Sequence, residues 1–458
     1  MNRRFSTPAR APQNTLIRRI ACVWLCAACA APPVRATWSI ILVDTETTEI
    51  AVGGATCLTF FDLRQALPVI RIGQGAGCAQ SFVDTTGQNR RLIWDELARG
   101  TAPATILELL AARDSGHQTR QYGIVDVFGR AITFSGSSNG AFASGLTGRT
   151  GNLVFSVQGN VLTGEPVLTA ARDAILNTPG GLPEKLMAAM EAARAMGGDG
   201  RCSCAPNDPT GCGAPPPAFE KSAHIGFMLD ARRGDSGGSC TQQLGCANGN
   251  YYMQLNVAGA NADDPDPVIT LRQQFDAFRA GLIDVPDIAE SRVSVAPAML
   301  SADGSSRATM RVDVLDWRGM PAVGLNSISV VHDTGSAGSC AIGAPLRISD
   351  HTFQVELTAG ATVGVDRLRI GAFWGPSGRS LLRRGVVRLV GRGDMNGDGM
   401  INNFDVDAFV LALNDSAQYR AEYPGLDPDF LLDVDADGFH TGLDIDRFVD
   451  CIVAGACP

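Results

Sequence analysis

Near the C-terminus the run Asp394-Met-Asn-Gly-Asp-Gly-Met-Ile-Asn-Asn-Phe-Asp405 is echoed by Asp433-Val-Asp-Ala-Asp-Gly-Phe-His-Thr-Gly-Leu-Asp444. Carboxylates or amides at positions 1, 3 and 5, a Gly at the sixth and an Asp at the twelfth read as a turn that gathers oxygens around a cation, the alternative being two Asp-rich surface turns. A hard ion such as Ca²⁺ takes six to eight oxygens at about 2.3–2.6 Å, supplied in an EF-hand-like loop by positions 1, 3, 5, 7, 9 and 12. The expected ligands of loop one are Asp394, Asn396, Asp398, the Met400 carbonyl, Asn402 through water, and Asp405, with Gly399 at the sharp turn. In loop two they are Asp433, Asp435, Asp437, the Phe439 carbonyl, Thr441 and Asp444, around Gly438. Two Ca²⁺ sites are therefore expected, and loop two, with one more carboxylate, is expected to bind more tightly.

The repeat runs past the ligands, since Phe404-Asp-Val-Asp-Ala-Phe-Val410 matches Leu443-Asp-Ile-Asp-Arg-Phe-Val449, so a similar amphipathic helix follows each loop. Loop, helix, linker, loop and helix across residues 391–458, with Asp rather than Glu at position 12, resemble a type I dockerin. That resemblance implies a small all-α module folded around Ca²⁺ and a cohesin-like module, or another extracellular protein, as partner. Cellulosomal dockerins place small hydroxyl residues at loop positions 10 and 11, whereas this chain has Asn403-Phe404 and Gly442-Leu443. An unusual cohesin, or a different contact, is what this departure implies.

A chain of 458 residues has room for two to four domains, of which three fit best. The net charge of −9 gathers in the acidic C-terminal segment, and no basic patch points to a nucleic-acid partner. Arg3, Arg4, Arg18 and Arg19 precede the apolar run Ile20–Ala31, and Val34-Arg-Ala36 offers small residues for cleavage, so residues 1–36 read as a secretory signal. A competing cleavage after Ala30 is offered by Ala28-Cys-Ala30. No later segment is apolar over the roughly 18 residues of a membrane span, so a secreted or surface-associated protein is expected. Cleavage after Ala36 removes three of the thirteen cysteines and leaves ten, an even number that favours disulfides in an oxidising compartment. Cys451 with Cys457, Cys240 with Cys246, and Cys57 with Cys78 are the candidate pairs. Cys202, Cys204 and Cys212 form the cluster closest to a metal site but lack paired Cys-x-x-Cys spacing.

Residues 37–284 read as one α+β domain. Strands are expected at Trp38–Val43, Glu49–Val52, Val69–Ile72, Tyr122–Val127, Ala131–Phe134 and Leu153–Val157, and helices at Arg90–Ala98, Pro103–Arg113, Pro166–Asn177 and Pro183–Met196. The Cys-, Gly- and Pro-rich stretches 199–222 and 231–250 read as disulfide-pinned loops. Residues 285–390 turn to short alternating strands, such as Ala308–Val314, Ser327–Val331 and Thr352–Leu357, which predict a β-sandwich. Within it, the stretch from Ser301-Ala-Asp-Gly-Ser-Ser-Arg307 to Trp317-Arg-Gly319 resembles the opening strands of invasin-type bacterial immunoglobulin-like domains, implying a spacer or an adhesive surface.

Four motifs carry a further resemblance: Thr37-Trp-Ser-Ile-Ile41, Arg120-Gln-Tyr-Gly-Ile-Val-Asp-Val-Phe-Gly-Arg-Ala-Ile-Thr-Phe-Ser-Gly136, Val157-Gln-Gly-Asn-Val-Leu-Thr-Gly164 and Gly197-Gly-Asp-Gly-Arg201. In this order they resemble domain of unknown function 1028, a bacterial and archaeal family placed among the N-terminal nucleophile hydrolase folds. The implied fold is a four-layer αββα sandwich over 37–284; the family has no settled activity. Cleavage after Ala36 would leave Thr37 at the N-terminus, where its hydroxyl can attack a carbonyl while its α-amine, of pKa roughly 7.7–8.0, acts as base. Asn160, in Gly159-Asn160, is the expected oxyanion donor. With Lys185 and Lys221 the chain's only lysines, Arg71 is the expected nearby cation. Ser135-Gly-Ser137 is a candidate holder of the amine, and His117 with Arg120 a candidate anion site. An N-terminal-threonine amidohydrolase is one reading. A noncatalytic binding or scaffold component of an extracellular assembly is the other, polysaccharide breakdown being the setting that dockerins suggest by association.

Overall fold

The computed structural model describes Met1, residues 37–336 and residues 339–454; the rest of the expected signal, residues 2–36, and Cys457 lie outside the described residues. Strand β1 (Thr37–Asp44) is buried along nearly its whole length. Trp38, Ile40 and Leu42 join one apolar cluster and Ile41 and Val43 another, the alternation a strand requires when both its faces are covered.

Through residue 280 the elements are β1, β2 (Ile50–Thr56), α1 (Leu63–Ala66), β3 (Pro68–Arg71), β4 (Gly75–Ser81), α2 (Gln88–Ala98), α3 (Pro103–Arg113), β5 (Arg120–Asp126), β6 (Ala131–Ser135), β7 (Ser144–Thr150), β8 (Leu153–Asn160), α4 (Pro166–Asn177), α5 (Leu182–Ala195), α6 (Gly200–Ser203), β9 (Ile225–Ala231), β10 (Met253–Val257) and α7 (Pro267–Ala280). They build a six-stranded sheet in the order β10-β9-β2-β1-β8-β7 and a four-stranded sheet in the order β3-β4-β5-β6. Helices α4, α5 and α7 pack on the larger sheet and α2 and α3 on the smaller one. Ile41, Val43, Val52, Ile70, Ala76 and Val125 fill the space between the sheets, so the layers run helix, sheet, sheet, helix. Helices α3, α4, α5 and α7 start with Pro in the first turn, where its missing N–H costs nothing. α5 ends against Gly197 and Gly198, both at positive φ, which closes the helix without a Cβ clash.

The second region is a two-sheet sandwich of β11 (Arg292–Ala296), β12 (Met299–Ser301), β13 (Arg307–Asp313), β14 (Leu325–His332), β15 (Ala341–Ile342), β16 (Leu346–Arg347), β17 (Thr352–Thr358), β18 (Gly364–Trp374), β19 (Ser377–Ser380) and β20 (Gly385–Val390). Ala308, Met310 and Val312 alternate inward along β13 and meet Val355, Ile370 and Val387 in its core. It is joined to the first domain by a buried charge cluster. Arg232 lies 2.6 Å from Glu49 and 2.9 Å from Asp287, with its guanidinium 3.5 Å from the centre of the Tyr252 ring. Burial, with Glu49 beside it, pushes Asp230 well above the usual carboxylate range.

The last region holds α8 (Val406–Asn414), α9 (Ser416–Glu422), α10 (Pro428–Leu431) and α11 (Gly442–Ala454). Phe409 and Phe448, equivalent positions of the internal repeat, stack with centroids 4.1 Å apart and planes 9° from parallel. Met299 and Val390 of the sandwich join the same cluster, which roots the helices on β12 and β20.

Cys240 and Cys246 pair as expected. Cys57 pairs with Cys202 instead of Cys78, because Cys57 leaves the end of β2 toward α6 whereas Cys78 points from β4 into the apolar space between the sheets. Cys204 pairs with Cys212, so the three-cysteine cluster is bound up in disulfides and offers no thiolates to a metal. Cys451 is disulfide-bonded, while its expected partner lies outside the described residues.

Candidate functional site

Pairing of β1 with β8 sets Thr37 opposite Asn160, and the strand alternation turns Thr37 and Ser39 toward the smaller sheet. There the filling between the sheets changes from apolar to polar. Gln80 Nε2 donates to the Thr37 carbonyl at 2.9 Å and to Gln121 Oε1 at 2.7 Å. Gln121 Nε2 in turn donates to the Gly159 carbonyl at 2.7 Å. Ser39 Oγ donates to Gln80 Oε1 and accepts from Gln158 Nε2, both at 2.6 Å. All four side chains are at most 1% exposed, and of their polar atoms Gln158 Oε1 has no hydrogen-bond partner among the described residues. Gly123 makes room for it, since a Cβ there would stand 2.1 Å from Gln158 Oε1.

Thr37 N donates to Asn160 Oδ1 at 3.2 Å, and Asn160 Nδ2 donates to Ser81 Oγ at 3.2 Å and to the Asn139 carbonyl at 3.4 Å. Asn160 therefore presents its oxygen to the Thr37 nitrogen, which is the geometry of an amine holder and differs from that of an oxyanion donor. Ser81 and Val161, at the ends of β4 and β8, both have positive φ (71° and 54°). Such backbone costs roughly 1–3 kcal/mol per residue and gathers where a site needs fixed geometry.

Thr37 lines a cavity of about 260 Å³ together with Leu63, Leu67, Asp84, Arg90 and Gln242. Arg71 is not among its lining residues: β3 carries it to the far end of the sheet hairpin, with its guanidinium 4.8 Å from the centre of the Trp94 ring. The cation of the cavity is Arg90. Nothing in the sequence separates it from Arg91 next to it, which the helix turns to solvent. Ser135 Oγ accepts from Gln121 and Ser137 N donates to Gln118, so neither holds the Thr37 nitrogen. Arg120 pairs with Asp114 at 2.8 Å, and His117 stacks on Phe134 at 4.2 Å, so that pair forms no open anion site. A larger cavity of about 350 Å³, where Arg232, Tyr252, Trp317 and Trp374 meet, contains none of the Thr37 network.

The two Asp-rich loops close alike. Asp394 accepts from Gly397 N and Gly399 N, both at 2.9 Å, and Asp405 accepts from Asn396 N at 3.0 Å and Asn402 N at 2.9 Å. In loop two, Asp433 accepts from Gly438 N at 3.2 Å, and Asp444 from Val434 N at 2.8 Å and Thr441 N at 2.7 Å. Gly399 and Gly438 have φ of +88° and +87°, which explains Gly at the sixth position. Asn396, Asp398, Asp435 and Asp437 each accept a backbone N–H two residues on, while Asn402 and Thr441 accept from Phe404 N and Leu443 N. Met400 and Phe439 turn their side chains to solvent, leaving backbone oxygen as what they can offer an ion.

Carboxylate oxygens of Asp433, Asp435 and Asp444 lie within 4.8 Å of one another. Burial, with Asp405 and Asp398 adding to it, pushes Asp394 up to about 6. Crowded carboxylates, those at positions 1 and 12 buried, in an all-oxygen donor set fit a hard divalent ion. A cation sits beside the first position of loop two: Arg392 Nη1 lies 2.7 Å from Asp433 Oδ2.

Among the described residues no helix is long and apolar enough to cross a membrane. No curated protein matches the chain. Among solved structures, protein SPO2555 from Silicibacter pomeroyi, a DUF1028 protein, is similar at 20% identity and a TM-score of 0.40, over 53% of this chain and 85% of that one. Yersinia pseudotuberculosis InvD is similar at 21% identity and a TM-score of 0.19, over 22% of this chain and 27% of its own. Invasin, described as a bacterial integrin-binding protein, is similar at 9% identity and a TM-score of 0.19, over 77% of this chain and 60% of its own. Residues 37–205 match the model of DUF1028, a family of unknown function.

Proposed function

We propose that this is an exported protein whose first domain is an N-terminal nucleophile amidohydrolase acting through Thr37, carried by a calcium-folded, dockerin-like module. The observation that carries the reading is the Thr37 nitrogen 3.2 Å from Asn160 Oδ1, at the lip of a cavity and inside a fixed polar network. Once cleavage after Ala36 frees that nitrogen, Asn160 accepts one amine hydrogen and leaves the lone pair to take the hydroxyl proton. The Thr37 oxygen then bonds to the acyl carbon, the carbon–nitrogen bond breaks, and the leaving amine takes the proton. Water hydrolyses the resulting ester.

The test is labelling of the secreted protein with a β-lactone. The reading expects one adduct on Thr37, absent in Thr37→Ala; a folded, correctly cleaved protein that takes no adduct contradicts it. One observation favours a noncatalytic binding domain instead. The Asn160 amide expected to serve the oxyanion is engaged by Ser81 and Asn139, and losing such a donor is worth about 3 kcal/mol in a transition state.

For the C-terminal module the reading is two bound Ca²⁺ and a docking face toward a cohesin-like or other extracellular protein. The repeat leaves matching apolar residues in solvent, Phe404 with Leu443 (80% and 63% exposed) and Val410 with Val449 (49% and 51%). Two equivalent stripes give a partner two ways to seat, and pull-down in Ca²⁺ against chelator tests it.

A further inference from the structure

We propose that the cavity beside Thr37 is a carboxylate-binding site in which Arg90 reads the anion. The corollary, which rests on the nucleophile reading, is that Thr37 acts on small acyl compounds bearing a carboxylate.

Arg90 is 5% exposed yet has no carboxylate within salt-bridge distance among the described residues. Its Nη1 donates to the Gln65 carbonyl, and its Nε, fully buried, has no hydrogen-bond partner. An arginine cannot shed its charge to escape such a site, so a bound anion would supply the partner that the described residues do not.

The acids of the same cavity are already engaged. Asp84 accepts from Thr86 N at 2.9 Å, Thr86 Oγ1 at 2.7 Å and Asn89 N at 3.0 Å. Burial opposes its charge, but those hydrogen bonds outweigh burial and hold Asp84 below the usual carboxylate range. Asp62 caps Arg64 N at 2.9 Å and lies 3.9 Å from its guanidinium. Burial lowers Arg90 itself, with only the charge of Asp84 acting the other way. A neutral carbonyl could meet the guanidinium where Arg90 lines the cavity. A carboxylate meets it and also balances the charge, and such a charge-assisted bond is about twice as strong as a neutral one.

The walls favour a small ligand. The loop closed by Cys240–Cys246 supplies Gln242, whose Nε2 donates to the Thr85 carbonyl at 2.9 Å, and a Cβ at Gly245 would stand 2.4 Å from the Gln65 carbonyl. That disulfide loop thus presses on the segment that holds Arg90. At about 260 Å³ the space falls just below the roughly 300–1,000 Å³ typical of ligand pockets.

The experiment is calorimetric titration of the mature, calcium-loaded protein with glutarate and with its uncharged analogue glutaramide. Glutarate should bind at least about tenfold more tightly, and Arg90→Met should erase the difference. Because removing a buried arginine can unfold the domain, Arg90→Lys is measured alongside, with circular dichroism as the folding control; it keeps the charge and should retain part of the preference. Equal binding of the two probes, no binding of glutarate to folded protein, or a preference that survives Arg90→Met overturns the proposal. Glutarate binding without β-lactone labelling leaves the anion site standing and removes the nucleophile; labelling without glutarate preference does the reverse.

Discussion

In the C-terminal region the oxygens of each expected ion site come from one run of consecutive residues, whereas the groups around Thr37 come from strands as far apart as Asn160, 123 positions along the chain. The first kind of site is written locally and, on the proposed reading, is held in shape by a cation. The second exists only when two sheets close on each other, and its polar filling is held by the fold. Local sites yield to removal of the ion and distributed ones to removal of a neighbour, and the following tests exploit that difference.

The largest effect is expected from chelation. Binding free energy in such loops is folding free energy. EDTA should therefore abolish the helical signal of residues 391–454 in a fragment and leave the Thr37 domain of the full chain folded, as followed by circular dichroism and limited proteolysis. Persistence of those helices without divalent ions would remove the calcium account.

Next is the joint between the first domain and the sandwich. Arg232→Met leaves Glu49, Asp230 and Asp287 buried without their cation and should cost about 3–5 kcal/mol in denaturant unfolding. Glu290 lies near the same joint. Burial, reinforced by Asp287 and Glu49, raises it from 4.5 to about 7. The folded state then holds a proton that the unfolded state has lost, so this contribution is complete below about pH 4.5 and disappears as pH rises through about 7. Stability should fall by about 3 kcal/mol across that window, and Glu290→Gln should flatten the profile.

Asn160→Ala removes the partner of the Thr37 nitrogen and leaves Ser81 and Asn139 with one bond fewer, which predicts a loss of about 1–3 kcal/mol. Asn160→Asp places a carboxylate beside the amine, raising its pKa, so β-lactone labelling should need higher pH than in the wild type. The smallest effect concerns the ranking of the two loops. Arg392 competes for Asp433 Oδ2, offsetting the extra carboxylate of loop two, so Arg392→Gln should tighten that loop by less than about tenfold in a calcium titration.

The same contrast explains what could be read from residues alone. β1, β5 and β8 announce themselves through β-branched and aromatic runs. β4 (Gly75-Ala-Gly-Cys-Ala-Gln-Ser81) and β7 (Ser144-Gly-Leu-Thr-Gly-Arg-Thr150) carry no such signal, because tertiary pairing with β5 and β8 makes them strands. α7 had a usable signal, Asp266 capping Val268 N before Pro267 and an apolar spacing of Val268, Leu271 and Phe275. At the site, Thr37 and Asn160 could be singled out, but the role of Asn160 depends on which atom of its amide faces the strand opposite. Arg90 could not be told from Arg71, since only the packing of α2 decides which guanidinium reaches the cavity.

The central claim is that a freed Thr37 is the working N-terminus, and intact-mass and N-terminal peptide analysis of the secreted protein before and after β-lactone treatment tests it most directly. The account predicts a chain beginning at Thr37 that gains one adduct on that residue. A chain beginning at Ala31, with the Thr37 nitrogen still locked in a peptide bond, would contradict it.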